Sequence, residues 1–319
     1  LFTANLDGTG IKRITFNPDT YFASSVLKDG RVLAISRRLF PDQNDAHLMV
    51  MRPDGTKSEL FYQTISDFTL SGRGWETANR KVVFIESDKS KNWAGDIISV
   101  SYNRPLHSRV NLTSGIQGDF HAVFPLKSGN FLVSYRKSEA ERYSLYEFDP
   151  VKKVLRQALY SDASYDETEA VEVQVHQRPK KLPSEVDMGV KTGLLMSQDI
   201  NLHDTPPSLQ VSSFPKAANI EIMGVDSLLG IVQPDEDGSF YLKVMADKPF
   251  QIKTLDKDGR VIQTCDWIWL RPNERRGCVG CHENQELVPA NRIPRAVKKA
   301  PVKIPNHINK IVEKQVELE

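Results

Sequence analysis

Three short β-branched runs return at almost constant spacing, and that recurrence limits the fold more than any other feature of the chain. Arg31-Val-Leu-Ala-Ile, Lys81-Val-Val-Phe-Ile and Asn130-Phe-Leu-Val-Ser begin 50 and then 49 residues apart, each after a polar or turn-rich stretch. A second series falls between them. Asp7-Gly-Thr-Gly and Asp54-Gly-Thr are hairpin signals 47 residues apart, with Gly95-Asp96 and Phe148-Asp149-Pro150 in the later places. Two interleaved series of one period mean one repeated unit. A unit of about 40 to 50 residues, made of short strands and tight turns, is the mark of a propeller blade; an ordinary antiparallel meander is the alternative. About three and a half such units fit before residue 175, fewer than the roughly four to eight blades that close a ring. The expected architecture is therefore mainly β, with a partial or partner-completed propeller over residues 1–175.

The pattern breaks after Ala170. His176-Gln-Arg-Pro-Lys-Lys-Leu-Pro-Ser favours extended backbone and reads as a linker over 176–190. Residues 191–275 then carry Thr192-Gly-Leu-Leu-Met, Ala218-Asn-Ile-Glu-Ile-Met, Ser239-Phe-Tyr-Leu-Lys-Val, Phe250-Gln-Ile-Lys-Thr-Leu and Arg260-Val-Ile-Gln-Thr. Several alternate with period two, and Asp237-Gly238 and Asp258-Gly259 supply turns, so a small β-sandwich is expected. Its last strand, ending in Cys265-Asp-Trp-Ile-Trp-Leu, is expected to run straight into a cysteine motif. Residues 276–319 make up that motif and an extended C-terminal arm, whose final stretch suits a short helix.

Composition excludes more than it assigns. Lys plus Arg number 42 and Asp plus Glu 41, so no charge imbalance argues for nucleic acid or an anionic membrane. Apolar runs such as Leu228 to Val232 fall far short of the roughly 20 residues that span a bilayer. The sequence starts at Leu1, so an export signal is expected to have been removed or to lie upstream.

Three cysteines are too few for a disulfide framework, and two of them share one motif. Gly277-Cys278-Val279-Gly280-Cys281-His282-Glu283 contains Cys-x-x-Cys-His, the attachment sequence of c-type haem. Two thiols add to the haem vinyl groups while the adjacent imidazole reaches the iron. Cys278 and Cys281 are thus the expected attachment residues and His282 the proximal ligand, with Val279 and Gly280 small enough to let the loop lie against the porphyrin. A redox Cys-x-x-Cys would want a βαβ setting, and zinc a further ligand of matching spacing. For the sixth position the sequence offers His307, in Pro305-Asn-His-Ile, ahead of His203, in Asn201-Leu-His-Asp. Met188, Met196, Met223 and Met245 sit mostly in strand patterns, where packing is the default.

Other residues invite blander readings. His121, in Asp119-Phe-His-Ala-Val-Phe, reads as a loop or channel residue, and His47, His107 and His176 as solvated. Cys265, beside Trp267 and Trp269, reads as a small buried hydrophobe. Asp235-Glu-Asp-Gly is an acidic turn of the kind that binds calcium, although such turns are usually solvated hairpin tips. Asn111-Leu-Thr has the form of a glycosylation acceptor.

Phe120-His-Ala-Val-Phe-Pro-Leu, Phe131-Leu-Val-Ser-Tyr-Arg, the Pro-rich linker, the Asp237-Gly-Ser-Phe-Tyr and Asp256-Lys-Asp-Gly-Arg hairpins and Pro272-Asn-Glu-Arg-Arg-Gly-Cys-Val-Gly-Cys-His-Glu together resemble the hydrazine synthase alpha-subunit-like proteins. The repeats over residues 7–35 also resemble those of TolB-type propellers. The first resemblance covers roughly residues 1 to 290. It implies an exported protein, periplasmic or extracellular, whose single covalent haem c relays electrons through redox partner proteins, other cytochromes of a multi-subunit complex among them. It does not hand over hydrazine chemistry, because the chain has no second Cys-x-x-Cys-His. Electron relay is the leading expectation. A catalytic haem acting on a small nitrogen or oxygen compound, and a propeller docking platform with an accessory haem, are the alternatives.

Overall fold

The computed structural model describes residues 1–39, 42–64, 67–90, 93–202, 215–280 and 291–306. By their internal contacts they form two compact units. One comprises Leu1, Asp19–Pro53 and Ser58–Pro183; the other comprises Phe2–Pro18, Asp54–Lys57 and Ser184 onward. The second unit is therefore discontinuous in sequence. Its first piece holds two short paired strands, Phe2–Thr3 (β1) and Lys12–Arg13 (β2).

Three antiparallel sheets make up the first unit, and each follows the chain in order. Asp19–Val26 (β3), Val32–Leu39 (β4), Asp42–Met51 (β5) and Glu59–Gln63 (β6) form the first. Phe68–Leu70 (β7) and Trp75–Glu76 (β8) both pair with Lys81–Asp88 (β9), followed by Asp96–Ser101 (β10) and Val110–Asn111 (β11). Asp119–Pro125 (β12), Phe131–Arg136 (β13), Ser144–Asp149 (β14) and Val154–Tyr160 (β15) form the third. The repeated runs of the sequence are β4, β9 and β13, which begin at residues 32, 81 and 131. This is the propeller-like blade pattern that the period predicts.

The repeat extends to an irregularity. The first strand of every blade breaks at the same place: β3 shifts register between Phe22 and Ser25, β7 and β8 are parted by residues 71–74, and β12 shifts between Phe120 and Ala122. One element of the second series differs from expectation. Asp54-Gly55 turns β5 into β6, but Gly95-Asp96 opens β10 instead of closing a hairpin. The connection that corresponds to Asp54-Gly55 in the second blade is the longer one from β10 to β11.

Period-two alternation explains the packing. In β9, Val82 and Phe84 join Leu33, Ile35 and Leu48 of the first blade in one buried cluster, whereas Val83 and Ile85 join Phe120, Phe131 and Phe148 of the third in another. A strand buried on both faces reads as an unbroken apolar run, as Val82-Val-Phe-Ile does. At roughly 25 cal/mol per Å² of apolar surface, these two clusters are the main favourable term for the unit. Glu86, 1% exposed, is satisfied inside it by the Tyr62 hydroxyl at 2.8 Å and by Arg109. Burial first, and then the Glu86 charge, pushes the Tyr62 phenol well above its usual range.

The second unit is a sandwich of two four-stranded sheets. Thr192–Ser197 (β16), Asn219–Met223 (β17), Leu228–Val232 (β18), Phe240–Met245 (β19), Gln251–Leu255 (β20), Val261–Thr264 (β21), Arg275–Cys278 (β22) and Val302–Lys303 (β23) are its strands. One sheet has the order β22-β16-β19-β23 and the other β18-β17-β20-β21. Alternate residues of the two, among them Leu195, Leu242, Val244, Ile220, Ile222 and Ile252, meet in a single core. Two features depart from the sequence reading. Residues 265–274 form no strand, because Trp269 and Leu270 turn into the interior and Asn273, at φ +67, helps reverse the chain before β22. The arm is also tied down, since β23 pairs in parallel with β19.

Candidate functional site

Position 278 is set by a buried carboxylate. Glu274, fully buried at the start of β22, accepts the Lys57 N–H at 2.9 Å and the Arg271 N–H at 2.7 Å, and binds the Arg276 guanidinium at 2.8 Å. Arg271 extends the cluster. Its guanidinium pairs with Asp247 at 2.7 Å, donates to the Asp54 carbonyl at 3.0 Å and lies over the Phe16 ring at 4.6 Å. Burial raises the Asp247 carboxyl despite that pairing. All these groups belong to the second unit, and Asp54–Lys57 earns its membership through them. The Asp54 turn is self-bracing, with Asp54 taking the Thr56 N–H at 2.9 Å and its hydroxyl at 2.7 Å. Gly55 stands at φ +82, and a Cβ there would overlap the Ile14 carbonyl.

From Glu274 the chain enters β22, which lies parallel to β16 with Cys278 opposite Ser197. Cys278 is half-buried at this sheet edge and packs against the sandwich core. The strand pairing continues beyond it, because Gln198 donates to the Cys278 carbonyl and Asp199 to the Val279 carbonyl, both at 3.0 Å. Gly280 then meets Leu202 so closely that a Cβ would overlap the Leu202 carbonyl. The smallness of Gly280 thus already has a use within the chain. Met196 lies 3.9 Å from where a Gly277 Cβ would stand. Cys265, also half-buried against this core, accepts the Ile252 N–H on its sulfur at 3.0 Å. That is a packing role.

Of the five haem-directed residues, Cys278 is described; Cys281, His282, His203 and His307 lie outside the described residues. Residues next to Cys281, His203 and His307 are described. Leu202, next to His203, lies against Gly280. Asn306, next to His307, is fixed to β18 through its N–H to the Leu229 carbonyl at 3.2 Å and its Nδ2 to the Ile231 carbonyl at 2.8 Å. Asn306 extends from β23, the edge opposite β22, three strand spacings or about 14 Å away.

The acidic turn Asp235–Asp237 binds the arm. Arg295 pairs with Glu236, Lys299 with Asp235, and Arg292 with both Asp237 at 3.3 Å and Asp199 at 3.5 Å. Asp237 also accepts the Ser239 N–H and hydroxyl at 3.1 and 2.6 Å and the Arg295 N–H at 2.9 Å. Burial alone would raise its carboxyl, but the Ser239 hydroxyl, the two backbone donors and Arg292 outweigh it and hold it below the usual range. These carboxylates serve the protein's own cations. No group of three or more metal-binding side chains occurs among the described residues.

The remaining candidates are absorbed by structure. His121 sits at the bulge of β12, its Nδ1 3.1 Å from the Thr168 carbonyl, beside a cavity of about 220 Å³ that Arg73 and Glu169 also line. His47 lies on β5 and is half-buried, whereas His107 and His176 are exposed. Asn111 of the Asn-Leu-Thr triplet is held by Asp96 at 2.8 Å, and Thr113 is fully buried on the same carboxylate. Glu274 and Arg292 were not legible as site residues, since Lys57 lies far from Glu274 in sequence and Gln198 and Asp237 far from Arg292. The charged run Glu274-Arg-Arg just ahead of the motif was the available signal.

Fold and site define a mainly β protein, propeller-like blades joined in one chain to a sandwich that bears a Cys-x-x-Cys-His sequence. Residues 165–283 match the family model described as the hydrazine synthase alpha subunit middle domain. Hydrazine synthase subunit alpha of Kuenenia stuttgartiensis is 23% identical over 352 aligned positions, which take in 86% of this chain and 43% of that protein. The solved structure of Kuenenia stuttgartiensis hydrazine synthase matches with a TM-score of 0.76 and 20% identity, over 93% of this chain and 49% of its counterpart. The chain is similar to hydrazine synthase alpha subunits, and it spans about half the length of the relatives it matches. No helix among the described residues is long and apolar enough to cross a membrane.

Proposed function

We propose that this chain is the propeller-and-sandwich portion of a hydrazine-synthase-like subunit, working in a redox enzyme complex that acts on a small nitrogen compound outside the cytoplasm. It carries one haem c, attached at Cys278 and Cys281 with His282 on the iron, and other redox proteins of the assembly are its partners. The supporting observation is that the family match runs to residue 283 and so takes in the whole Cys-x-x-Cys-His sequence. The described part of the site fits such a group, with a half-buried cysteine on a sheet edge and a following turn seated on residues 198–202. When bound, the haem would supply an iron centre able to change oxidation state or take a small ligand. The protein's own contribution is rigidity, through Glu274 and the pairing of β22 with β16.

A second reading, electron relay alone, is favoured by one observation. Leu202, the residue before His203, lies against Gly280 of the motif, whereas Asn306, the residue before His307, is fixed to β18. A histidine arriving from the Leu202 side would fill the sixth position. Carbon monoxide separates the two readings: a high-spin haem that binds it supports substrate chemistry, and a low-spin haem that ignores it supports relay. Replacing His203 by Ala should then open a closed iron, while His307→Ala leaves it as it was.

A further inference from the structure

We propose that Arg292 is a positioning residue for the haem, a proposal that rests on the haem reading above. Its guanidinium touches two turns at once. One Nη2 donates to the Gln198 carbonyl at 2.8 Å and the Asp237 carbonyl at 2.9 Å, and the same group faces the Asp199 and Asp237 carboxylates at 3.5 and 3.3 Å. Gln198 and Asp199 are the residues whose N–H groups hold Cys278 and Val279. Arg292 therefore grips, from the other side, the segment that supports the cysteine motif.

The two turns are already locked together. Ile200 donates to the Gly238 carbonyl at 2.8 Å, and a Cβ on Gly238, at φ +77, would overlap the Asp199 carboxylate. Onto this pair of turns both described flanks of residues 281–290 are fixed: Gly280 against Leu202 on one side, and Arg292 on Gln198 and Asp237 on the other. Beyond Arg292 the arm stays attached through Arg295 N–H to Asp237 and Ala296 N–H to the Ser239 hydroxyl at 3.0 Å. β22 is an edge strand of four residues, paired among the described strands with β16 alone. With Nη2 on both carbonyls and near the Asp199 carboxylate while Nη1 faces the Asp237 carboxylate, the site suits Arg better than Lys, because the planar guanidinium holds its two donor nitrogens in fixed directions. Arg292 thereby steadies the Gln198–Asp199 segment on which Cys278 and Val279 are paired. It acts through the chain, with no part in the chemistry.

The holoprotein is the material for the test, made with c-type haem maturation. Arg292→Ala, Arg292→Lys and Arg295→Ala are compared with the unaltered chain for haem content, electron-resonance g values and midpoint potential. Haem content is expected to stay the same throughout. Arg292→Ala should shift the g values and the potential, Arg292→Lys should shift them part of the way, and Arg295→Ala, whose side chain among the described residues pairs with Glu236, should match the unaltered protein. An Arg292→Ala protein with unchanged g values and potential overturns the proposal. If that variant does not fold, unchanged values for Arg292→Lys overturn it instead. An unaltered chain without covalent haem sinks the haem reading itself, and the proposal with it.

Discussion

At the residue scale, Glu274 matters more to the site than its place in a charged run suggests. It is fully buried, and three separate groups depend on its carboxylate. Replacing it by Ala leaves the Arg276 charge and two N–H groups unmatched in the interior. Breaking a buried charge cluster in this way costs about 3–5 kcal/mol. Denaturant unfolding of Glu274→Ala should show a loss of that order, with Glu274→Gln losing less; unaltered stability would mean that β22 is held by something else. Gly280→Ala tests the adjoining contact. The overlap with the Leu202 carbonyl predicts a loss of about 1–3 kcal/mol, the usual cost of overpacking, and a lower yield of holoprotein.

At the element scale, the arm and the acidic turn form an electrostatic lock with a definite pH dependence. The folded carboxyl of Asp237 is held below its unfolded value of about 3.9, so its stabilisation is complete above that value and is lost as pH falls through the lowered one. Hydrogen exchange of residues 292–299, corrected for its intrinsic pH dependence, should therefore lose protection below about pH 4. Asp237→Asn should show part of that loss already at neutral pH. Equal protection at both ends of the range would contradict the lock. The strands themselves were legible because alternation and turn residues act locally: Asp237-Gly-Ser and Asp54-Gly-Thr make their turns through the same carboxylate-to-hydroxyl bond, the second joining paired strands and the first leading from one sheet of the sandwich to the other. β22 and β23 were not legible. Arg275-Arg-Gly-Cys has no strand composition, and Val302-Lys303 is too short to carry a pattern; each is a strand only because β16 or β19 offers it an edge.

At the scale of the whole molecule, the repeat period gave away the blades, since each must bury alternate residues against the next. The discontinuity of the second unit was invisible, because nothing local in Asp54-Gly-Thr-Lys or in Phe16 points to Glu274 or Arg271 more than 200 positions on. A fragment beginning at Ser184 lacks the Lys57, Asp54 and Phe16 partners. It should therefore unfold at lower denaturant than the same sandwich within the full chain, and an equal midpoint would show those contacts to be dispensable. The attachment residues were readable from one short motif, whereas Arg292, ten positions beyond His282, declares its place only through folded geometry.

The central claim is that Cys278, Cys281 and His282 carry a covalent haem. The most direct measurement is the haem content of the denatured protein after expression with c-type maturation, beside a Cys278→Ala, Cys281→Ala double variant. The account predicts one haem per unaltered chain that remains attached on denaturation, and none in the double variant. A chain that emerges without haem, or whose haem is extracted by acidified organic solvent, would contradict it.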